Sequence, residues 1–253
     1  MLASAVAYWG EPGATLLALL LLGHAVGDFV LQTEWLTERK PNSIPLMAVH
    51  ILLVFLAHAV LVLPVWGPRM LPAIAVLAGL HAGSDTVKAL VERRSHSALP
   101  PFVGDQVFHM LTLVVIWLWL CQGLGYHADH SASLHDWLPA IRRCSILIAG
   151  FILAVRGGGL FVARLLDDCR DRGVAADHIS PHAGKVIGYI ERSLFYVLFL
   201  LDQWIVVGFI VAAKSLGPLA DRRGQKPDYY RMIGTLASLL VALGASLLVG
   251  SLQ

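Results

Sequence analysis

The sequence predicts an all-α, polytopic bundle of transmembrane helices, and two observations lead to that class. Apolar residues make up 57% of the 253 residues and charged residues only 14%, whereas soluble domains carry about 25% charged residues. The few charges are also grouped between long apolar stretches, as they are in chains that cross a bilayer several times. We therefore expect a single integral membrane domain over residues 1–253, with a motif-bearing half at 14–120 and a C-terminal half at 138–250.

The individual spans follow from the length of the apolar stretches. About 20 apolar helical residues cross the hydrocarbon core of a bilayer, and by that length the chain contains about seven candidate spans. They cover residues 14–31, 44–63, 70–90, 101–120, 138–155, 186–213 and 230–248. The fifth span is expected to end at the three glycines of 157–159, and residues 160–166 are predicted to form a short interfacial amphipathic helix.

Several classes of function are excluded by the lack of their sequence signatures. A formal net charge of +2 and the lack of a basic run with interleaved aromatic residues argue against a nucleic-acid partner. The three cysteines are widely spaced and form no CxxC pair, so neither a disulfide framework nor a thiolate metal site is indicated. The sequence also lacks a phosphate-binding loop, an HExxH motif and a GxSxG motif.

Three of the predicted spans carry a His and an Asp four residues apart. The pairs are His24 with Asp28, His81 with Asp85, and Asp105 with His109. Four residues are about one helical turn, so the two members of each pair share a helix face. Ionisable groups within a span cost about 2.5–3.5 kcal/mol each on insertion scales, and they therefore mark function or tight pairing. Three such pairs in one chain predict a functional cluster.

The depth of these pairs in the predicted helices gives a second indication. Strict alternation of the spans places all three pairs toward the same side of the membrane, together with His50, Glu191 and Arg192. We therefore expect one polar chamber that opens toward the connections holding Lys40, Arg94 and Lys185.

The order and spacing of these residues resemble one family. Three segments carry the likeness: His24-Ala-Val-Gly-Asp28-Phe-Val-Leu-Gln32, His81-Ala-Gly-Ser-Asp85-Thr-Val-Lys88 and Asp105-Gln106-Val-Phe-His109. They resemble an uncharacterised bacterial integral-membrane family, the domain of unknown function 3307, and residues 184–192 and 212–214 look like its C-terminal half. The resemblance implies a multi-pass protein of the bacterial cytoplasmic (inner) membrane, and it supplies no activity to transfer.

The His and Asp residues together suit a divalent transition metal, with zinc favoured over manganese and iron. The predicted metal ligands are His24, His81 and His109, because catalytic zinc commonly takes three protein ligands and keeps one position for water. The predicted catalytic residues are Asp28, Asp85 and Asp105, as further ligands, as partners for the second ring nitrogen, or as the base for a metal-bound water. Two other readings stay open for the same residues: a proton or ion path, and hydrogen bonds that hold the helices together.

Further polar residues are candidates for binding the polar part of a substrate: Gln32, Lys88, Gln106, Glu191 and Arg192. For Lys88 the alternative is extension to the membrane interface. For Glu191 it is a structural ion pair with Arg192 or Lys88, which we favour. Packing or capping is the favoured reading for His50 and His58.

These observations favour an intramembrane metal-dependent enzyme, a hydrolase or transferase acting on a lipid or another membrane-soluble substrate, with membrane lipids around it. A transporter of protons or metal ions, or a non-catalytic membrane assembly factor, are the alternatives. Apart from His58 and Asp202, the ionisable residues within spans are confined to one half of the membrane, which favours an enclosed site over a path that leads to both faces.

Overall fold

The computed structural model describes residues 2–65, 67, 69–122, 136–171, 181–220 and 229–252, and the regular structure in these ranges is entirely helical. The α-helices are α1 Leu2–Val26, α2 Glu34–Arg39, α3 Ile44–Leu61, α4 Met70–Glu92, α5 Leu99–Gln122, α6 Leu138–Ile152, α7 Gly158–Asp171, α8 Pro181–Leu200, α9 Trp204–Ala220 and α10 Tyr229–Leu252. Five-residue π turns follow α1 at Gly27–Leu31 and α6 at Leu153–Gly157. The predicted all-α class is confirmed.

Within the described ranges, six helical stretches are long and apolar enough to cross a membrane. They are Gly10–Leu31, Ile44–Leu61, Met70–Glu92, Leu99–Gln122, Leu138–Arg170 and Tyr230–Leu252, and Trp204–Lys214 is a shorter apolar helix. A chain with these helices and so few charges is a membrane protein.

The predicted sixth span, 186–213, is wrong as a single helix. α8 ends at Leu200 and α9 begins at Trp204. Between them Asp202 has a φ of 57°, in the left-handed region, and its carboxylate accepts a hydrogen bond from the Trp204 indole. A helix cannot continue through that backbone conformation. Lys214 of α9 pairs with Glu191 of α8, so the two helices lie side by side as a hairpin.

The predicted end of the fifth span at residues 157–159 is also wrong. The chain stays helical from α6 through the π turn into α7, and residues 160–166, predicted as a separate interfacial helix, belong to α7. A Cβ added at Gly158 would lie 2.4 Å from a methyl carbon of Val241, and one at Gly159 would lie 2.8 Å from the guanidinium of Arg192. These glycines therefore allow close packing inside a helical stretch instead of ending it.

The chain divides into two compact units. The first comprises Met1–His96, Pro100–Ile152 and Ser251–Gln253, and the second comprises Ser97–Leu99 and Leu153–Gly250. All the predicted His and Asp pairs lie in the first unit, and Glu191 and Arg192 lie in the second.

α1 is the most enclosed span, and it packs closely on α3 within the first unit. Gly23 and Gly27 stand four residues apart on the side of α1 that faces α3. A Cβ at Gly23 would lie 2.6 Å from the ring of His58, and one at Gly27 would lie 3.1 Å from the side chain of Val54. Small residues at this spacing let two membrane helices approach closely. The close approach brings His24, which follows Gly23, and Asp28, which follows Gly27, toward α3.

The start of the membrane-length stretch Gly10–Leu31 is fixed by a separate group of polar contacts. The Arg142 guanidinium contacts the Glu11 carboxylate at 3.1 and 3.3 Å, and the Trp117 indole donates to the carbonyl of Gly13 at 2.8 Å. Residues 14–22 of α1 lie between these contacts and His24. They are almost entirely buried, and apart from Thr15 they are apolar.

Candidate metal centre

Side chains from four helices of the first unit, and from the connection between two of them, meet in one buried cluster. α1 and its π turn supply His24 and Asp28, α3 supplies His50, α4 supplies His81 and Asp85, α5 supplies Asp105 and His109, and the connection before α3 supplies Lys40. No member of this cluster is more than 8% exposed. The structure therefore brings all three predicted His and Asp pairs together.

Asp28 lies in the middle of the histidines. Its Oδ2 atom is 3.6 Å from Nδ1 of His24 and 3.6 Å from Nδ1 of His109. Its Oδ1 atom is 3.1 Å from Nε2 of His81 and 3.6 Å from Nε2 of His50. One donor atom from each of His24, Asp28, His81 and His109 lies within 4.8 Å of the others.

Three of the four Asp28–histidine separations, all but the 3.1 Å contact with His81, are longer than a hydrogen bond and fit a shared cation better. Ligands placed 2.0–2.2 Å from a tetrahedral zinc ion are about 3.3 Å from one another, whereas an N–H···O hydrogen bond measures about 2.7–3.2 Å. The contacts of Asp28 with His24 and His109, at 3.6 Å, exceed the hydrogen-bond range. Among the described residues, both ring nitrogens of His109 are buried without a hydrogen-bond partner.

The other two carboxylates differ from Asp28 because each has a lysine beside it. Lys40 Nζ is 2.5 Å from Oδ2 of Asp85. Lys88 Nζ is 2.8 Å from Oδ2 of Asp105 and 3.3 Å from Oδ1 of Asp85. With the histidines neutral, the three aspartates of the cluster exceed the two lysines beside them, Lys40 of the cluster and the neighbouring Lys88, by one negative charge. A net negative charge in a buried place is unfavourable unless a cation offsets it.

Three of the predicted substrate-binding residues line the cluster and contact its members. Gln106 holds His24 and Asp105 together through its two amide atoms, each at 3.3 Å. Gln32 accepts a hydrogen bond from Lys40 Nζ at 2.8 Å and donates one to the Thr37 hydroxyl. Lys88 bridges two carboxylates instead of extending to the interface, with 15% of its side chain exposed.

The other two predicted substrate-binding residues have partners inside the second unit. Arg192 is 3% exposed, and its guanidinium donates to the carbonyl of Val155 at 3.1 Å and to the hydroxyl of Ser238 at 3.3 Å. Glu191 pairs with Lys214. The prediction of an ion pair for Glu191 is confirmed, but the predicted partners, Arg192 or Lys88, were wrong.

Two members of the cluster were missed in the sequence. The sequence favours packing or capping for His50, but its Nε2 atom lies 3.1 Å from Nε2 of His81 and 3.2 Å from Oδ2 of Asp85. Its position near the start of α3, at the depth of the three pairs, was the available signal. For His58 the prediction of packing or capping is confirmed, because its Nδ1 is 2.8 Å from the carbonyl oxygen of Val54.

Lys40, the second missed member, reaches the cluster because its connection is folded and fixed. Thr33 caps α2 by accepting from the backbone of Leu36, and Arg93 donates to Pro41 O at 2.8 Å and to Asn42 Oδ1 at 2.7 Å. This turn directs the Lys40 side chain into the bundle, where it is 4% exposed. Burial lowers the pKa of the Lys40 ammonium from its ordinary value, and the Asp85 carboxylate opposes that shift.

The fold and the cluster define a helical membrane protein with a buried centre of histidine, aspartate and lysine. Residues 16–135 match the model of a family described as Protein of unknown function (DUF3307). This is the family that the quoted segments resemble, and every member of the cluster lies within the match. The two C-terminal segments of the predicted likeness, 184–192 and 212–214, lie outside it. No curated protein and no solved structure matches the chain.

Proposed function

We propose that this protein is an intramembrane metal-dependent enzyme, a hydrolase or transferase whose substrate is a lipid or another membrane-soluble molecule. The observation that carries the proposal is the position of Asp28, a buried carboxylate with four histidines around it, while the two other aspartates of the cluster have lysine partners. His24, Asp28, His81 and His109 are the residues that would hold the ion. Zinc is the favoured ion, with manganese or iron as alternatives, because imidazole and carboxylate ligands suit all three.

An ion held by these four residues would take a water as a fifth ligand, and it would lower the pKa of that water to about 7 and polarise a carbonyl or phosphoryl oxygen. The remaining polar groups would then position the reacting parts. Asp105 lies 3.6 Å from Nε2 of His109, and an approach of about 0.5 Å would let its carboxylate accept a hydrogen bond from that ring and orient it. Lys88, at 15% side-chain exposure, is more accessible than either carboxylate beside it and is the group that an anionic or polar headgroup would meet.

The position of the cluster supports a membrane-soluble substrate. The cluster lies between helices of membrane-spanning length, and an apolar groove runs along α3 and α4 beside it. Ile51, Ala82 and Thr86 in the groove are direct neighbours in sequence of His50, His81 and Asp85. A lipid tail in this groove would bring its headgroup region close to the ion, and bulk water, other than the molecule bound to the ion, would be kept from the site. We propose the bacterial cytoplasmic membrane as the location of the protein, because that location is what the family resemblance implies.

Transport of protons or metal ions is less well supported. Such a path needs polar groups that lead to both faces of the membrane. On the far side of His24 the buried residues 14–22 of α1 are apolar apart from Thr15, whose hydroxyl is bonded to the carbonyl of Leu138. This stretch separates the cluster from the next charged pair, Glu11 with Arg142.

Metal analysis of the purified protein tests the metal centre. Protein prepared in mild detergent without chelator should contain a transition metal, and His24→Ala and His109→Ala should lose it while remaining folded. His58→Ala is the matched control, because His58 is a buried histidine of α3 that contacts the backbone of Val54. Metal-free wild-type protein, or metal retained in both ligand variants, would exclude these histidines as ligands.

Lipid turnover tests the enzymatic part of the proposal. Wild-type protein in liposomes of a bacterial lipid extract should convert a lipid to a product that mass spectrometry detects, and a chelator should stop the conversion reversibly. Unchanged lipids together with metal-ion uptake into the same liposomes would favour the transporter. Unchanged lipids without uptake would favour a non-catalytic role.

A further inference from the structure

The two oxygens of Asp28 face two different groups of donor atoms. Oδ2 is 3.6 Å from Nδ1 of both His24 and His109. Oδ1 is 3.1 Å from Nε2 of His81 and 3.6 Å from Nε2 of His50. A carboxylate that offers one oxygen to each of two donor groups has the arrangement of a ligand shared by two ions.

The second donor group is nearly as compact as a tetrahedral site requires. His50, His81 and Asp85 each offer an atom within 4.8 Å of the others. The Nε2 atoms of His50 and His81 are 3.1 Å apart. Oδ2 of Asp85 is 3.2 Å from Nε2 of His50 and 3.6 Å from Nε2 of His81. Ligands of one tetrahedral zinc ion are about 3.3 Å apart. His50 is fully buried, and in the described part of the chain its other ring nitrogen makes no hydrogen bond, so the polar contacts of the ring all involve Nε2.

We propose that the centre binds two divalent cations, with Asp28 as the carboxylate between them. The first ion takes His24 and His109, the second takes His50, His81 and Asp85, and each ion takes one oxygen of Asp28. This inference rests on the proposed metal centre and extends it. With a single ion bound, His81 completes the first group, and its Nε2 atom turns to the second group when both ions are present. Two ions about 3.5–4 Å apart are the usual arrangement where a carboxylate joins them.

The second position contains a competitor that the first lacks. The Lys40 ammonium lies 2.5 Å from the same Asp85 oxygen that faces His50 and His81, and it also donates to Gln32 at 2.8 Å. A divalent ion on Asp85 would be repelled by this positive charge. The second ion therefore binds more weakly than the first, and removing the charge of Lys40 strengthens its binding.

A titration of chelator-treated protein with Zn²⁺ measures the number of ions and their affinities. Wild-type protein should take up two ions per chain in two steps, and His50→Ala should keep only the first step. His58→Ala should behave as wild type. Lys40→Gln, which keeps a hydrogen-bond donor beside Asp85, should bind the second ion about tenfold more tightly or better, since tenfold requires a change of only about 1.4 kcal/mol.

Electron paramagnetic resonance of the Mn²⁺-loaded wild-type protein tests the shared carboxylate without any substitution. Two ions joined by Asp28 should give the spectrum of an exchange-coupled pair, and isolated Mn²⁺ signals at full loading would overturn the bridging role. Saturation of wild-type protein and of His50→Ala at one ion each would overturn the second site and leave the proposed function standing. Failure of wild-type protein to bind any ion would overturn both. If His50→Ala does not fold, His50→Gln serves instead, because it lacks the imidazole and keeps a polar group.

Discussion

A methyl group added at Gly23 should disturb the helix pair on which the metal centre is built. Gly23 directly precedes His24 on α1, and an added Cβ would lie 2.6 Å from Cδ2 and 2.9 Å from Cγ of the His58 ring on α3. Ordinary contacts between carbon atoms are about 3.5–4.0 Å, so the ring or the helix must move by about 1 Å. The ring is not free to move, because it is 1% exposed and contacts the carbonyl of Val54 at 2.8 Å.

The expected cost follows from two opposing terms. Overpacking of this kind destabilises by about 1–3 kcal/mol, whereas replacing a helical glycine by alanine stabilises by up to about 1 kcal/mol. We expect Gly23→Ala to lower the free energy of unfolding by about 1–2 kcal/mol on balance. Metal binding should fall more clearly, because a shift of about 1 Å between α1 and α3 exceeds the roughly 0.2 Å tolerance of ligand distances.

Reversible unfolding in detergent and metal titration measure the two effects. Gly79→Ala on α4 is the control, since nothing lies within 4 Å of its added Cβ. The double variant Gly23→Ala with His58→Ala removes the clashing ring, and it should be more stable than the sum of the two single effects by about 1 kcal/mol or more. Additive losses in the double variant, or a Gly23→Ala protein that unfolds and binds metal as wild type does, would refute this account of the packing.

Three further outcomes are expected. Asp28→Asn should abolish metal binding while the protein stays folded, whereas Asp105→Asn should keep the metal; equal metal content in the two variants would contradict the special role of Asp28. Gly158→Ala should lower thermal stability, by about 1–3 kcal/mol, because its Cβ would lie 2.4 Å from a side-chain carbon of α10; an unchanged melting temperature would refute the contact. Glu11→Gln should destabilise the protein by about 1–3 kcal/mol, because it weakens the ion pair with the buried Arg142. The metal content should not change, because this pair is far from the cluster. A loss of metal would show that the part of α1 around Glu11 also shapes the centre.

The helical class and five of the predicted spans could be derived from apolar length alone, because a bilayer sets the length of a span. The errors lie where hydropathy carries no information about the backbone. Residues 186–213 are apolar enough for one helix, and the left-handed conformation of Asp202 divides them. The glycines at 157–159 look like a helix end in the sequence, and they serve close packing against Arg192 and Val241.

In the candidate site, too, the residues set by local spacing could be predicted from the sequence, and those set by tertiary packing could not. The three His and Asp pairs were found because a spacing of four is a property of one helix, which the sequence shows directly. His50 has no partner at that spacing that forms part of the cluster, and Lys40 lies outside every predicted span. Their places depend on the packing of α1 against α3 and on the turn that Arg93 holds, neither of which leaves a periodic signal.

Lys40 and Lys88 distinguish the three aspartates of the cluster, which the sequence alone does not. Asp28, Asp85 and Asp105 look equivalent in the sequence, since each stands four residues from a histidine in a predicted span. In the folded chain Lys40 and Lys88 offset two of the three charges, and the third is left among the imidazole rings of four histidines. A buried carboxylate in that position either takes a proton through a histidine or binds a cation. Of its four histidine contacts only the one with His81, at 3.1 Å, has the length of a hydrogen bond, and the other three measure 3.6 Å. The cation is therefore the better explanation, and the chemistry of the centre should be sought at Asp28 and not equally at all three carboxylates.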